Sequence, residues 1–457
     1  MSGAALLEPR VLPRSEHPIS RSLIDKNALK VLYRLHEAGH TAYLVGGGVR
    51  DLMLGRKPKD FDVATDAKPN EIRRIFRNAR LIGRRFRLAH ILFKEGIVEV
   101  STFRAGPGAE ERPAEGAGDL LITSDNVFGS PEQDAFRRDF TINALFYDIA
   151  DFSVIDFVGG LADLEARVIR SIGDPNVRFR EDPVRMMRAC ELAARLGFGM
   201  ESETQEAIHR HRGEISRAAP PRVTEELVEL LSCGRAGAAL QWMLDLGLLE
   251  VQLPEAYAMV AAGQRGLGDL GRLLPVVDEM VLGGRSFKDS LLLSLLLLPK
   301  LLLRRYDVEA LGQRPLRRHE LETLVEEVAL PFAERFALAK ARTFEIRETL
   351  LAFAELCDVP RERQRRARLA GRPFFRQALE LFELLVAATG EGQAELQLWR
   401  AETPGAPRLK LIAGASPGVD GEREGGSPPA AAGKRSRSRR RRRRASGRGV
   451  AGEIAGT

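Results

Sequence analysis

Cysteine is scarce in this chain: Cys190, Cys233 and Cys357 are its only three among 457 residues, far apart and without metal-ligand spacing. No zinc site is implied, and isolated thiols of this kind suit a cytosolic protein that keeps them reduced. Histidine is equally thin. The seven are scattered, and the one close pair, His209 and His211, diverges on a helix because positions two apart do not share a face. Aromatic residues make up 6% while Leu, Ala and Arg dominate, which favours a largely helical protein. The most apolar run, LLLSLLLLPKLLL at 291–303, is too short to span a bilayer and is interrupted by Pro299 and Lys300. It reads as a buried helix and its exit. The opening MSGAALLEPR has no basic start followed by a long apolar core, so no export signal and no transmembrane segment are expected. No repeat of fixed period stands out.

Positive charge is present but unevenly placed. The formal net charge is +7, yet KRSRSRRRRRRASGR, from Lys434 to Arg448, holds ten basic residues and no acid, leaving −3 for the remainder. Its flanks contain hardly any large apolar residue, so residues 405–457 cannot bury a core and are expected to stay disordered. Consecutive arginines from Arg439 to Arg444 suit a polyphosphate surface, bound with strong salt dependence.

Length leaves room for two or three domains with sizeable cores. Residues 25–38 carry Ala28, Leu29, Leu32, Leu35 and Ala38 at helical spacing, with Gly39 as a stop. TAYLV at 41–45 reads as a strand, followed by three glycines and a short helix from Val49 to Leu54. KPNEIRRIFRNA places Pro69 in a first turn and Ile72, Ile75 and Phe76 on one face, and strands follow at LAHILF and GIVEVSTF. From about residue 157 to about residue 400 the pattern is Leu- and Ala-rich helical periodicity. The expected organisation is an N-terminal extension (1–24), an α/β head (25–156), an all-helical neck (157–250) and body (251–404), and the basic tail (405–457).

Two short stretches of the head carry chemistry. In KPKDFDVAT, 57–65, a strand would turn Phe61 and Val63 one way and Asp60 and Asp62 the other. Two carboxylates on one surface repel unless a cation lies between them, and Mg²⁺ commonly binds through one or two carboxylates plus substrate phosphates. In LVGGGVRD, glycines without Cβ let backbone N–H groups approach a triphosphate at a helix start, and Arg50 adds a charged donor. Phosphate loop, arginine and acid pair lie within 17 residues and together suit phosphoryl or nucleotidyl transfer.

LVGGGVRDLMLGRKPKDFDVAT, then RRDFTINALFYD at 137–148, DFVGGLADLEARVIRSI, and REDPVRMMRACELAARLGF at 180–198 resemble the successive motifs of the nucleotidyltransferases that comprise tRNA CCA-adding enzymes and bacterial poly(A) polymerases. The likeness covers roughly residues 15–250. It implies a polymerase-beta-like head, a helical neck and body, and template-independent addition of nucleotides to RNA 3′ ends with Mg²⁺. Asp60 and Asp62 would hold metal ions, with Asp139 carried over as a third acid and Glu99 on the strand IVEVSTF as a rival. Gly46, Gly47, Gly48, Arg50 and Arg138 would hold the nucleotide's phosphates or ribose.

The resemblance also implies base recognition by Asp182 and Arg185, an acceptor and a donor three apart on one helix face, with Arg188 extending it. Asp182 is expected at the N-cap and Pro183 in the first turn. The chain departs from the family at Glu191, where arginine is usual, and at Leu192, where phenylalanine is usual. LIGRRFRLAHI at 81–91, the HPISR segment and the Arg-rich tail resemble the poly(A)-adding branch, making ATP the expected substrate and CCA addition the alternative. Arg84, Arg85 and Arg87, with Arg439, Arg440, Arg441 and Arg442, are the expected RNA contacts. RNA-degradation machinery is an expected partner class. A catalytically idle RNA-binding adaptor and a small-molecule nucleotidyltransferase fit less well, given the intact acid pair and the long helical body.

Overall fold

Eight strands build the head: β1 (Arg10–Leu12), β2 (Ala42–Val45), β3 (Asp62–Thr65), β4 (Ala79–Ile82), β5 (Leu88–Leu92), β6 (Ile97–Thr102), β7 (Leu145–Asp148) and β8 (Val154–Asp156). The computed structural model describes residues 8–83, 88–105, 127–261, 269–312, 314–360 and 362–403. Arg84, Arg85, Arg87 and the whole of the arginine tail lie outside them. The sheet order is β1-β8-β7-β2-β3-β6-β5-β4. All neighbours are antiparallel except β3 and β6, where Val63 faces Val100 in a parallel pairing. Residues 10–12, expected in an extension, thus form an edge of the head by pairing with β8; three residues are too few to show a period.

Alternation along the strands divides the core. Leu44, Val63 and Val100 join the main apolar cluster, while Val45, Ala64, Phe103 and Phe146 form a smaller one on the opposite face. By the two-residue period, Asp62 and Glu99 belong to the face of the smaller cluster. Helices α1 (Lys26–Glu37), α2 (Gly47–Met53), α3 (Pro69–Ile75) and α4 (Pro131–Arg137) complete the head. For α1, the Asp25 carboxylate caps the N–H groups of Asn27 and Ala28 at 2.8 and 3.1 Å, and Ala28, Val31, Leu32 and Leu35 are buried.

The helical part continues with α5 (Gly160–Ala166), α6 (Pro175–Glu181), α7 (Val184–Leu196), α8 (Ser202–His211), α9 (Pro220–Ser232), α10 (Ala236–Asp245), α11 (Leu248–Gln252), α12 (Pro254–Ala261) and α13 (Leu270–Leu282). Then come α14 (Asp289–Gly312), α15 (Arg318–Arg335), α16 (Lys340–Leu356), α17 (Arg363–Ala370), α18 (Phe375–Thr389) and α19 (Gln393–Glu402). A two-stranded parallel ladder, β9 (Val168–Ile169) with β10 (Gly199–Met200), interrupts the expected all-helical neck. One cluster of buried side chains runs from Leu12 to Trp399, so head, neck and body share a continuous core.

Two expectations are corrected here. Pro299 does not end the apolar helix: α14 runs through it. Leu291 to Leu293, Leu295 to Leu298 and Leu301 are all buried, each worth about 1.5–3 kcal/mol, against about 3 kcal/mol for an interior proline. Asp182 is not the N-cap of α7; it closes α6, and Pro183 takes the cap position. Among the described residues no helix is long and apolar enough to cross a membrane.

Candidate active site

The glycine turn and the acid pair meet in space. Gly46 has φ 72°, a left-handed conformation costly for other residues, and it hands β2 to α2. A Cβ on Gly48 would lie 3.3 Å from the Asp60 carbonyl oxygen, so the turn packs directly against the loop that precedes β3. That loop, not a strand, carries Asp60; the strand begins only at Asp62. Both carboxylates nevertheless line one open cleft of about 1270 Å³, with the glycine turn, Arg138 and Asp139, and Asp182, Arg185, Arg188 and Arg222 from the neck.

The carboxylates carry uncompensated charge. Burial pushes the Asp62 carboxyl up to about 6, and repulsion from Glu99 and Asp60 adds to it, with Arg138 opposing. Parallel pairing of Val63 with Val100 sets Glu99 beside Asp62 at the same end of the sheet. Glu99 is itself half exposed and accepts from His90 at 3.1 Å. Among the described residues no group of three or more His, Cys, Asp or Glu is gathered tightly enough to hold a metal unaided.

Asp139 is placed differently. Arg188 donates to its Oδ2 at 2.8 Å, and Asn143 Nδ2 and the Phe140 N–H donate to its Oδ1 at 3.0 and 2.8 Å. Burial alone would raise this carboxyl, but Arg188 and Asn143 outweigh it and hold it below the usual carboxylate range. Its lone pairs are occupied by a salt bridge that ties α7 to the head. Arg188 is correspondingly raised, first by Asp139. Burial pushes Glu226, 3.7 Å from Arg188, up to about 7.

Of the expected phosphate donors, Arg138 lines the cleft and also donates through Nη1 to the Asn143 carbonyl at 3.3 Å. Its guanidinium is held by the buried Asp134 at 2.9 Å and rests 5.2 Å above the Phe146 ring, with Nη1 beside Gly46. Arg50 is buried beneath the turn, bound to Asp51 at 2.8 Å and to Asn143 Oδ1 at 2.5 Å. It braces the loop from below rather than reaching out from it.

On the neck wall, Asp182 is forked by Arg222 through two contacts of 2.9 Å. Arg222, at the start of α9, has no signature in the sequence, and its role emerges only from the packing of α9 against α7, which Asp182 precedes. Arg185 lies 3.7 Å from Asp182 and donates through Nη2 to the Arg137 carbonyl at 3.2 Å. Its Nη1 is buried with no hydrogen-bond partner, and burial lowers the group to about 10. An unpaired buried donor at a cleft wall costs about 1–3 kcal/mol, which a ligand acceptor would recover. Glu191, the departure noted in the sequence, is buried and accepts from Arg195 at 2.6 Å. Arg195 in turn lies 3.7 Å from Asp51, linking α7 to the arginine under the glycine turn.

Comparison with known proteins agrees with this layout. The family model described as "Poly A polymerase head domain" matches residues 42–170, and "Probable RNA and SrmB- binding site of polymerase A" matches 197–259. Poly(A) polymerase I of Salmonella typhi is 50% identical over 247 residues, 53% of either chain, so the aligned part spans about half the length of that relative. Poly(A) polymerase I of Haemophilus influenzae is 34% identical over 415 residues, 89% of this chain and 91% of that one. The chain belongs to the poly(A) polymerase family. A solved relative, the CCA-adding enzyme of Bacillus stearothermophilus in complex with CTP, superposes with a TM-score of 0.59 at 27% identity, covering 84% of this chain and 82% of that one. Family membership accounts for the head-then-helices order.

Proposed function

We propose that this chain adds AMP from ATP to RNA 3′ ends without a template, releasing pyrophosphate. One juxtaposition carries the reading: the Asp60 and Asp62 carboxylates and the glycine turn line the same cleft as Arg185, whose buried Nη1 has no hydrogen-bond partner, with Glu99 on the strand beside Asp62. The triphosphate is held by the N–H groups of the turn and by Arg138. Mg²⁺ held by Asp60 and Asp62 would lower the pKa of the RNA hydroxyl and neutralise charge on the phosphates. Glu99 is the third acid in this reading, because Asp139 is committed to Arg188. Asp60 and Asp62 are hard oxygen donors, and Glu99 adds negative charge beside Asp62, chemistry that suits a hard dication.

The base edge meets the neck. Arg185 Nη1 donates to a ring nitrogen of adenine and Asp182 accepts from its amino group, with Arg222 fixing the carboxylate. Guanine reverses that donor and acceptor order. Arg185→Ala is therefore expected to reduce the preference for ATP over GTP by up to about a hundredfold, more than it reduces turnover at saturating nucleotide. Unaltered selectivity in competition assays would remove α7 from base recognition.

Cytosine also pairs an amino donor with a ring acceptor, and the structural relative was solved with CTP. CCA addition is therefore the second reading. Incubation with ATP, CTP, a generic RNA and a tRNA lacking its 3′ end separates them: long A-tracts on both RNAs are expected, and CTP use that stops after CCA on tRNA overturns the assignment. Action in the cytoplasm is consistent with three unpaired cysteines. RNA-degradation machinery is the partner class such tails would serve, checked by co-purification from cells.

A further inference from the structure

The body carries a second group of arginines, beyond both matched family segments. α17 buries none of its residues. Arg366 turns inward to Glu402 at 3.2 Å, and Arg363 approaches the same carboxylate at 3.9 Å. Arg365 and Arg368 point about 100° and about 160° away from Arg366 around the helix axis, out of reach of that acid. Both are exposed, as is Arg376 on the first turn of α18, and among the described residues these three side chains form no ion pair or hydrogen bond. Beside Arg376, Phe374 is held at φ 64° and meets Phe344 of α16 edge-on, with ring centroids 5.7 Å apart. Phe344 is 52% exposed.

The fold gains nothing from these features. Arg365 and Arg368 are like charges three positions apart, which repel, and arginines in a first turn oppose the helix dipole. A phenylalanine left half in water buries little apolar surface, and a non-glycine residue at positive φ is strained. Each cost is one that an anionic, partly aromatic ligand relieves. We propose that Arg365, Arg368 and Arg376, with Phe344 and Phe374, form a binding surface for single-stranded RNA upstream of the 3′ end held in the cleft. Arginine forks grip successive phosphates, and the two rings offer stacking faces to unpaired bases. An acidic peptide would use the arginines and leave the rings idle. A membrane surface would need an apolar helix face, and α17 has only Gln364, Leu369 and two alanines beyond its charges.

This inference rests on RNA being the substrate, and its test separates the two. In the full-length chain, Arg365→Glu/Arg368→Glu is compared with wild type for binding of a long unstructured RNA across a salt series. Affinity is expected to fall at least about tenfold at low salt, and the log–log salt slope to shrink by about 1.4, from two cations at about 0.7 each on single strands. The milder Arg365→Gln/Arg368→Gln pair gives the same slope change, and Phe344→Ala weakens binding with the slope intact. AMP addition to an oligonucleotide too short to leave the cleft stays at the wild-type rate. RNA affinity and slope unchanged in the double variants overturn the surface, as does loss of binding to anionic vesicles or an acidic peptide with RNA binding retained. A wild-type chain that binds RNA by these criteria but adds no AMP refutes the proposed reaction and leaves the surface standing.

Discussion

Asp62→Asn is expected to lower AMP incorporation at least about a thousandfold while ATP and RNA still bind. The substitution removes one negative charge from the point where a dication and a triphosphate meet, worth several kcal/mol in the transition state, and each 1.36 kcal/mol is tenfold in rate. The glycine turn, Arg138 and the neck wall remain, so equilibrium binding of RNA stays near wild type. Residual turnover above a few per cent would sink the metal role. The same carboxyl sets a pH dependence. Its pKa is raised from 3.8 to about 6, so below pH 6 the proton competes with the cation, and kcat/KM at limiting Mg²⁺ should fall tenfold per pH unit. Saturating Mg²⁺ moves that limb to lower pH.

The stability consequence has the opposite sign. In the metal-free protein Asp62 ionises at about 6 when folded and near 3.8 when unfolded, so between these values the folded state holds a proton the unfolded state has lost. Stability from this group is full below pH 3.8 and is lost as pH rises through 6. Metal-free Asp62→Asn should accordingly melt higher than wild type at pH 7.5 and no higher at pH 4, and added Mg²⁺ should narrow the difference by stabilising only the wild type. A variant that melts below wild type at pH 7.5 would mean that Asp62 is not electrostatically strained.

What the sequence disclosed was local. The strand-turn-helix at 42–53 and the Leu-rich helices are written in short periods and in glycine and appear near where those signals put them, whereas of the acid pair only Asp62 lies on the expected strand. The contact of Gly48 with the Asp60 carbonyl is long-range, yet adjacency of motifs in sequence anticipated it. Arg222 is another matter. Its grip on Asp182 depends on how α9 packs against α7, a tertiary contact no motif encodes. Arg50 shows a related limit: an arginine after a glycine loop reads as a phosphate donor, and its hydrogen bonds to Asp51 and Asn143 under the turn are contacts the motif does not spell out. Pro299 misled because propensity is a weak preference that eight buried leucines override.

Glu99 and Asp139 could not be ranked from residue types, and the structure separates them through their neighbours. Glu99→Gln keeps the volume and leaves its neighbours satisfied, so its melting temperature should stay close to wild type while kcat falls by about two orders of magnitude. It also removes one of the charges that raise Asp62, so its acidic limb should shift to lower pH. Asp139→Asn should do the reverse. It removes the charge paired with Arg188, sets an amide NH2 against donors on one side, and leaves that guanidinium with Glu226 at 3.7 Å as its carboxylate partner, a loss of about 1–3 kcal/mol in stability. Its acidic limb should not move, because Asp139 is not among the groups acting on Asp62, and turnover per folded molecule should fall far less than in Glu99→Gln. An inactive Asp139→Asn with unchanged melting temperature, beside an active Glu99→Gln, would transfer the third-acid role to Asp139 and require Arg188 to swing away when nucleotide binds.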